Sequence, residues 1–438
     1  MKSLCKWASV KSVCVLAVAV HGAAWSAEQP AKRRDAAAVV VEWNRQLLAV
    51  AEAEDGFLTL KGVRAAAIMH LAMHDALSAI RHDYAPYVFK ADAPDADSAT
   101  AAAQAAYEIA VNQYPKQSAQ WQELLARTSI ASGASRDSAV KLAKAAAAAV
   151  LDSRKGDKWD QQAAYRFHPM GPGVYAEFRE HSGTPAGFVF GAGWATVQPF
   201  MLSSPDQFRV GPPPAIASAE YARAFNEVKE VGSFASRTRT ADQTHLAMWW
   251  KEFVESSHNR LARELVANDD LELRRAARLF ALLNMAIFDG YVSVFDSKFF
   301  YNHWRPYTAI HWADKDGNPA TELDAQWDNL HRHTYAFPSY PSAHGTVCSA
   351  AMTVMADTFG EQRTFTMTTP EVDKAGPMSG KVRMEPPTRS FASFPAAAQE
   401  CAMSRVYLGI HFRYDSLAGN ALGNEVGRYA LENFLKKR

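Results

Sequence analysis

The segment Lys298-Phe-Phe-Tyr-Asn-His-Trp-Arg305-Pro306 places two cationic side chains seven residues apart. At this spacing both side chains can lie on one side of a helix end. The guanidinium of Arg305 offers a planar fork to two oxygens, and the ammonium of Lys298 is a compact point charge. The pair can therefore hold an oxyanion, although two solvated surface residues would show the same spacing.

A second segment, Tyr340-Pro-Ser-Ala-His-Gly345, stands directly before an apolar run that predicts a helix over 344–359. Ser342 occupies the N-cap position of that helix, so the first backbone N–H groups point outward and can bind an anion. His344 can donate or accept a proton near neutral pH. A plain capped helix that carries a polar histidine is the alternative interpretation.

The third segment is Ser404-Arg405-Val-Tyr-Leu-Gly-Ile-His411-Phe-Arg-Tyr-Asp415. Asp415 follows His411 by four residues, near enough to fix the histidine tautomer and to make its other ring nitrogen nucleophilic. We expect Gly409 to break the helix, so that Arg405 approaches the site from a preceding turn.

Taken in order, the three segments follow the signature K-x6-R-P, then P-S-G-H, then S-R-x5-H-x3-D, with Ala343 in place of the glycine. About ten positions are fixed, so a chance match is remote. The chain resembles the type 2 phosphatidic acid phosphatase and vanadium-dependent haloperoxidase superfamily. Looser likeness to the larger bacterial haloperoxidase-type proteins extends to 69–75, 194–200 and 236–243. The resemblance implies an all-α fold of helical bundles with long ordered loops.

The resemblance also implies a role for each matched residue. The groups that would hold the equatorial oxygens of the anion are Lys298, Arg305, Ser342, the Ala343 amide and Arg405. His411 would bond axially to vanadium or attack phosphorus, Asp415 would orient His411, and His344 would be the acid–base. Ala343 keeps the backbone N–H of the usual glycine and is tolerable where φ is negative. Its methyl group could still narrow the space for peroxide or for an ester leaving group.

Two activities share these residues. A vanadium-dependent haloperoxidase would bind vanadate and use hydrogen peroxide and halide as its small-molecule substrates. A phosphatase of the same superfamily would need no cofactor and would hydrolyse a phosphate ester through a phosphohistidine. The chain length favours the haloperoxidase, and Phe295 and Phe337 could line a halide pocket, unless they are ordinary core aromatics. A binding protein without activity is a third hypothesis, which the acid–base residue His344 disfavours.

Composition and the N-terminus set broader limits. Among 438 residues, 48% are hydrophobic and the formal net charge is +1, which argues against a nucleic-acid partner. Residues 1–27 read as a signal peptide with a lysine-containing start and a short apolar core, so we expect a periplasmic or secreted protein. A buried N-terminal helix is the alternative. Beyond this segment the sequence predicts no stable membrane span.

The remaining pattern predicts the elements that position the site. We divide the chain into a signal peptide at 1–27, an N-terminal helical region at 28–155, a Gly/Pro/aromatic-rich connection at 156–217 and a catalytic helical region at 218–438. Residues 361–395 are expected to hold a short hairpin, and the apolar helices make a homodimer plausible. The predicted helices span 39–54, 63–80, 98–113, 116–131, 138–151, 218–231, 241–267, 271–297, 344–359, 396–408 and 417–436.

Other histidines and the cysteines carry weaker signals. His70 and His74 have metal-ligand spacing but lie in an apolar helix without a third ligand, so we interpret them as core residues. His331 and His333 either line the entrance to the site or, by the plainer interpretation, belong to a solvated loop. The remaining cysteines, Cys348 and Cys401, are either bonded to each other or two small buried residues.

Overall fold

The computed structural model describes residues 37–56, 60–129, 131–372 and 380–438. The predicted signal peptide lies outside these residues. Within them the all-α prediction is confirmed, because fourteen α-helices accompany one two-stranded sheet. The helices of the first half are α1 (Ala38–Asp55), α2 (Leu60–Ile80), α3 (Ser98–Gln113), α4 (Ser118–Thr128), α5 (Gly133–Ser153), α6 (Arg179–Ser182) and α7 (Ala219–Val231). Those of the second half are α8 (Ala241–Trp249), α9 (Val254–Asn268), α10 (Leu273–Tyr301), α11 (Pro306–His311), α12 (Ala343–Phe359), α13 (Phe394–Tyr407) and α14 (Arg413–Asn433).

The long helix α10 forms the centre of the core. It is apolar around most of its circumference, as expected of a helix that is buried on every side. It packs against α2 on one side and against α12 and α14 on another. By length and composition α10 could cross a membrane, but 94% of its most apolar window is buried inside the protein. The apolar composition of α10 is therefore explained by its position in the core of the fold.

Helices α12 and α14 touch backbone to backbone. Gly419, Gly423 and Gly427 recur every four residues along one face of α14. A Cβ atom at Gly423 would lie 2.0 Å from the carbonyl oxygen of Thr346, and one at Gly419 would lie 2.4 Å from that of Ser342. Only glycine permits this approach, which brings the start of α12 next to the start of α14.

One predicted helix is wrong. The run 241–267 was expected to be continuous, but α8 ends at Trp249 and α9 begins at Val254. The sequence carries no Gly or Pro at this point. The indole nitrogen of Trp250 donates to Glu400 Oε1 at 2.9 Å, and the carbonyl oxygens of Trp250 and Glu252 accept side chains from other helices. Tertiary contacts thus override the local helix propensity here.

The Gly/Pro/aromatic-rich stretch is an ordered coil, as predicted, with α6 and a short 3-10 turn at Ala192–Thr196. Arg154 donates to the carbonyls of Gln198 and Pro199 at 2.5 and 2.8 Å. Asp289 of α10 accepts from the amides of the next three residues, 200–202, at 2.6–3.1 Å. Buried charges on the helices therefore satisfy the backbone of the coil.

The predicted hairpin within 361–395 is confirmed. Strands β1 (Phe365–Thr368) and β2 (Thr388–Phe391) pair antiparallel, with Phe365 opposite Phe391. Helix α14 begins four residues before the predicted 417, so its first turn carries Asp415.

Candidate active site

The three sequence segments meet at the N-terminal ends of α12 and α14. A small cavity lies between them. Its lining combines four of the predicted site residues with an aromatic half: Ala343, His344, Arg405, His411, Tyr291, Phe295, Tyr335 and Phe337.

Lys298 and Arg305 approach this cavity from the end of α10. Lys298 lies in the last turn of α10, which Asn302 ends in a left-handed conformation with φ 51°. Its ammonium donates to the carbonyls of Pro338 and Ser339 at 3.0 and 2.7 Å. Arg305 precedes α11 and donates to the carbonyl of Phe337 at 2.9 Å. Both cations are fully buried.

Arg405, at the end of α13, adds a third buried cation and donates to the carbonyl of Trp250 at 3.2 Å. Arg305 Nη2 and Arg405 Nε have no hydrogen-bond partner among the described residues. Burial, then repulsion from Arg305, lowers the pKa of Lys298 well below its usual value, while Asp415 opposes the shift. Unpaired donors and excess positive charge in a buried site favour a bound anion.

His411 presents a defined ring nitrogen to these cations. Its Nδ1 lies 2.9 Å from Asp415 Oδ2, and its Nε2 lies 3.1 Å from Arg305 Nη1. Because arginine only donates, Nε2 carries the lone pair and Nδ1 carries the proton. Burial, then Arg305, lowers the pKa of His411 well below 6.5, so the ring is neutral. The tautomer predicted from the four-residue spacing is therefore the one that this geometry favours.

Ser339 joins the His411–Asp415 pair, and no sequence motif predicts this contact. Its hydroxyl lies 2.5 Å from Asp415 Oδ2 and 3.2 Å from His411 Nδ1. Burial raises the pKa of Asp415 to about 7, against the hydrogen bond from Ser339 and the charge of Lys298. Ser339 therefore favours the carboxylate form of Asp415.

The start of α12 has the predicted N-cap. Ser342 is buried and its hydroxyl accepts from the amide of Gly345 at 3.3 Å. Ala343 is the first helical residue, so its φ is negative and its methyl group causes no backbone strain. The first amides of a helix have no intrahelical acceptor, and those of Ala343 and His344 are of this kind. Ala343 keeps its backbone N–H and is among the residues that line the cavity.

His344 faces the same cavity from the first turn of α12. Its Nε2 lies 3.3 Å from the carbonyl oxygen of Glu252, in the break between α8 and α9. Burial, then Arg405, lowers its pKa well below 6.5. A neutral imidazole beside a cationic pocket can accept a proton from a bound group.

The aromatic side of the cavity includes both residues predicted to line it, Phe295 and Phe337. Their ring centroids are 5.2 Å apart, and Phe337 also lies under Arg305, at 4.7 Å. The coil covers this side, because the rings of Phe190 and Trp194 pack against the ring of Phe295 with centroids 6.1 and 4.8 Å away. Phe190 also donates its amide to the carbonyl of Ala336 at 2.8 Å. The coil thus seals the apolar side of the site.

The remaining histidines and cysteines form no metal site within the part of the chain that the structure describes. His70 and His74 are buried core residues, as interpreted, and no group of three or more His, Cys, Asp or Glu suited to a metal occurs within the described residues. His331 contradicts the plainer expectation of a solvated loop, because it is fully buried against Tyr335 at 5.7 Å. His333 is half-buried, and Tyr335 of the same loop lines the cavity. Cys348 and Cys401 are buried free thiols.

Comparison with known proteins agrees with this arrangement. Residues 278–437 match the family model of the VCPO second helical-bundle domain. No match is found among curated protein sequences. The structure of a bacterial vanadium-dependent iodoperoxidase is similar with a TM-score of 0.72 at 19% identity, over 92% of this chain and 97% of that chain. The holo-type structure of a bacterial vanadium-dependent chloroperoxidase is similar with a TM-score of 0.66 at 17% identity, over 85% of this chain and 92% of that chain.

The apo-type structure of a bacterial vanadium-dependent chloroperoxidase is similar with a TM-score of 0.64 at 17% identity, over 85% of this chain and 94% of that chain. Together these likenesses show that the chain has the vanadium haloperoxidase fold. They confirm the resemblance to the type 2 phosphatidic acid phosphatase and vanadium-dependent haloperoxidase superfamily that its three motifs predicted.

Proposed function

We propose that the protein is a vanadium-dependent haloperoxidase that oxidises halide with hydrogen peroxide. The observation that carries the proposal is the lone pair of His411 Nε2, which lies among three buried cations. The carboxylate of Asp415 balances only one of the three positive charges. Vanadate is an oxyanion whose metal takes a nitrogen ligand, so it matches this donor set. Bound vanadate would supply a Lewis acid that activates peroxide.

Each residue around the bound vanadate would have its own role. Lys298, Arg305 and Arg405 would neutralise the oxygens, and the first amides of α12 would donate to them. His411 Nε2 would be the metal ligand, fixed in its tautomer by Asp415. His344, in the wall of the cavity, would take up and return a proton.

The aromatic side of the cavity supports halide oxidation over ester hydrolysis. Phe295, Phe337 and Tyr335 leave an apolar surface beside the anion site, where a weakly hydrated halide can approach and water is excluded. A bulky phosphate ester would need room that the coil residues Phe190 and Trp194 occupy behind this surface.

A phosphatase is the second candidate, and the same geometry of His411 supports it. A neutral imidazole with its Nδ1–H on a carboxylate is a competent nucleophile towards phosphorus, and His344 could protonate the leaving alkoxide. In that case the protein would work without a cofactor.

The test begins with the mature protein freed of metal and then supplied with orthovanadate. Bromide- and iodide-dependent halogenation with hydrogen peroxide is measured beside hydrolysis of p-nitrophenyl phosphate. Halogenation that requires vanadate is the expected result. Phosphate release that vanadate inhibits, without halogenation, would refute the haloperoxidase and favour the phosphatase.

We also propose that the protein is exported, since residues 1–27 have the pattern of a signal peptide. Expression of the full chain in a bacterial host, followed by mass spectrometry of the N-terminus in the periplasmic fraction, tests this. An uncleaved N-terminus in the cytoplasmic fraction would refute it.

A further inference from the structure

A buried carboxyl group lies next to the active-site cavity without belonging to the three motifs. Glu255, in the first turn of α9, is 8% exposed. Its Oε2 accepts a hydrogen bond from the hydroxyl of Tyr291 at 2.8 Å. Tyr291, on α10, is 3% exposed and lines the active-site cavity beside His344 and Arg405. The pair thus reaches from α9 to the site.

Glu255 also lines a second pocket on the other side. We name it the outer pocket, and its other lining residues include Leu48, Glu52, Gly56, Val63, Phe253 and Ser256. Gly56 is exposed, and Glu52 and Ser256 are half-buried. In the part of the chain that the structure describes, the outer pocket therefore reaches the surface. One hydrogen bond separates a group in contact with it from a group in the active-site cavity.

From this geometry we propose that Glu255 and Tyr291 form a proton relay between the outer pocket and the active-site cavity. The inference rests on the proposed function, because halide oxidation takes up one proton per turnover: X⁻ + H₂O₂ + H⁺ → HOX + H₂O. The other walls of the cavity are largely buried cations and aromatic rings, which do not deliver protons easily, and among its lining residues only Tyr335, Ala343 and His344 are half-buried.

The transfer is balanced within the pair. Protonated Glu255 donates from Oε2 to the oxygen of Tyr291, while the phenol passes its own proton to the hydroxide that halide oxidation by hydrogen peroxide leaves in the cavity, which becomes water. Tyr291 remains neutral, and Glu255 is left as a carboxylate that accepts the phenol hydrogen bond seen in the structure. A proton from the outer pocket then restores the carboxyl group.

The electrostatic surroundings suit this cycle. Burial raises the pKa of Glu255 to about 7, against the hydrogen bond from Tyr291 and with added repulsion from Glu252. Glu252 comes from the break before α9 and is paired with Arg260, and Glu52 faces the outer pocket from α1. A group with this pKa is both protonated and deprotonated during turnover near neutral pH.

The experiment compares Glu255→Gln and Tyr291→Phe with the wild type across pH 5–9, in whichever of the two reactions the wild type catalyses. Glu264→Gln on the same helix is the matched control. We expect both relay variants to lower kcat at least about tenfold near neutral pH, with KM and orthovanadate affinity within about twofold. Formate or acetate should restore part of the rate to Glu255→Gln, and Glu264→Gln should match the wild type.

A second measurement does not depend on the reaction. Infrared titration of the vanadate-free protein should show buried carboxyl bands from Glu255 and Asp415 that titrate near pH 7, of which only the Glu255 band is missing in Glu255→Gln. In Tyr291→Phe the pKa of Glu255 should rise, because the carboxylate loses a hydrogen bond. Unchanged kcat in Glu255→Gln, a loss that small acids do not rescue, or a band indifferent to Tyr291→Phe would overturn the relay. Lack of halogenation by the wild type would instead refute the proposed function.

Discussion

Replacement of Gly423 by alanine tests how closely the two helices that carry the site are packed. The added Cβ would lie 2.0 Å from the carbonyl oxygen of Thr346 and 2.8 Å from Ser349 Cβ. An ordinary contact of a Cβ atom begins at 3.4 Å, so α12 and α14 must separate locally by about 1.4 Å. The obstacle is backbone, so no side-chain rotation can relieve it.

The expected cost follows from two opposing effects. Overpacking a tight contact costs about 1–3 kcal/mol, and a backbone obstacle belongs at the upper end. Alanine recovers about 1 kcal/mol over glycine inside a helix. We therefore expect Gly423→Ala to lower the free energy of unfolding by about 2 kcal/mol.

Gly290→Ala is the matched control on α10. Its Cβ would make only ordinary contacts, the nearest at 3.6 Å to Val347 Cγ2. This variant should be neutral or more stable by up to about 1 kcal/mol. The two variants, both buried helical glycines changed to alanine, should differ by about 2–3 kcal/mol.

The assay is equilibrium urea unfolding followed by tryptophan fluorescence, together with orthovanadate binding by equilibrium dialysis. Separation of α12 from α14 moves the Ser342 N-cap away from Asp415, whose carbonyl accepts the Ser342 amide at 2.9 Å. We expect Gly423→Ala to weaken vanadate binding about tenfold, or 1.4 kcal/mol. If Gly423→Ala is as stable as Gly290→Ala and binds vanadate normally, the close backbone contact between α12 and α14 is absent.

Three further predictions concern the site and the stability of the fold. His411→Ala should abolish orthovanadate binding, whereas His344→Ala should keep binding within about twofold and lower kcat at least 100-fold, roughly; equal losses of binding would refute this division of roles. Ala343→Gly should bind vanadate within about twofold and raise the turnover severalfold, since a cavity methyl is removed while the amide stays; steady-state kinetics that match the wild type would show that the methyl does not narrow the cavity. Burial lowers the pKa of His303 to about 3 from 6.5, so stability is lost as pH falls from 6.5 towards 3, because the unfolded chain takes up the proton first. In urea unfolding, His303→Gln should reduce the loss of unfolding free energy between pH 7 and 4.5 by about 1–3 kcal/mol. An unchanged loss would contradict the lowered pKa of His303.

Much of the site could be predicted because its residues are constrained locally. The four-residue spacing of His411 and Asp415 gave the tautomer, and Ser342 before an apolar run gave the N-cap. The start of α14 was placed four residues late, because Arg413–Ser416 is polar and the apolar pattern begins only at Leu417. Local spacing and capping survive folding since they involve neighbours in the chain.

Other structural features could not be predicted from residues that are close in sequence. The break at 250–253 has no Gly or Pro, yet its carbonyls accept from Arg405 and His344, which lie about 90 to 155 residues away in sequence. His331 was expected in a solvated loop because its neighbours are polar, and only the fold buries it. The position of the coil over Phe295 likewise depends on contacts between distant segments.

The sequence alone determined the chemical groups, their order and the all-α class, because amphipathic periodicity and motif spacing are short-range properties of the chain. The tertiary structure decided which polar groups are buried together, where the cations lack partners, and how Glu255 meets Tyr291 across 36 residues. Burial and electrostatic environment arise from the packing of separate helices. Their energies depend on distances that no single segment defines.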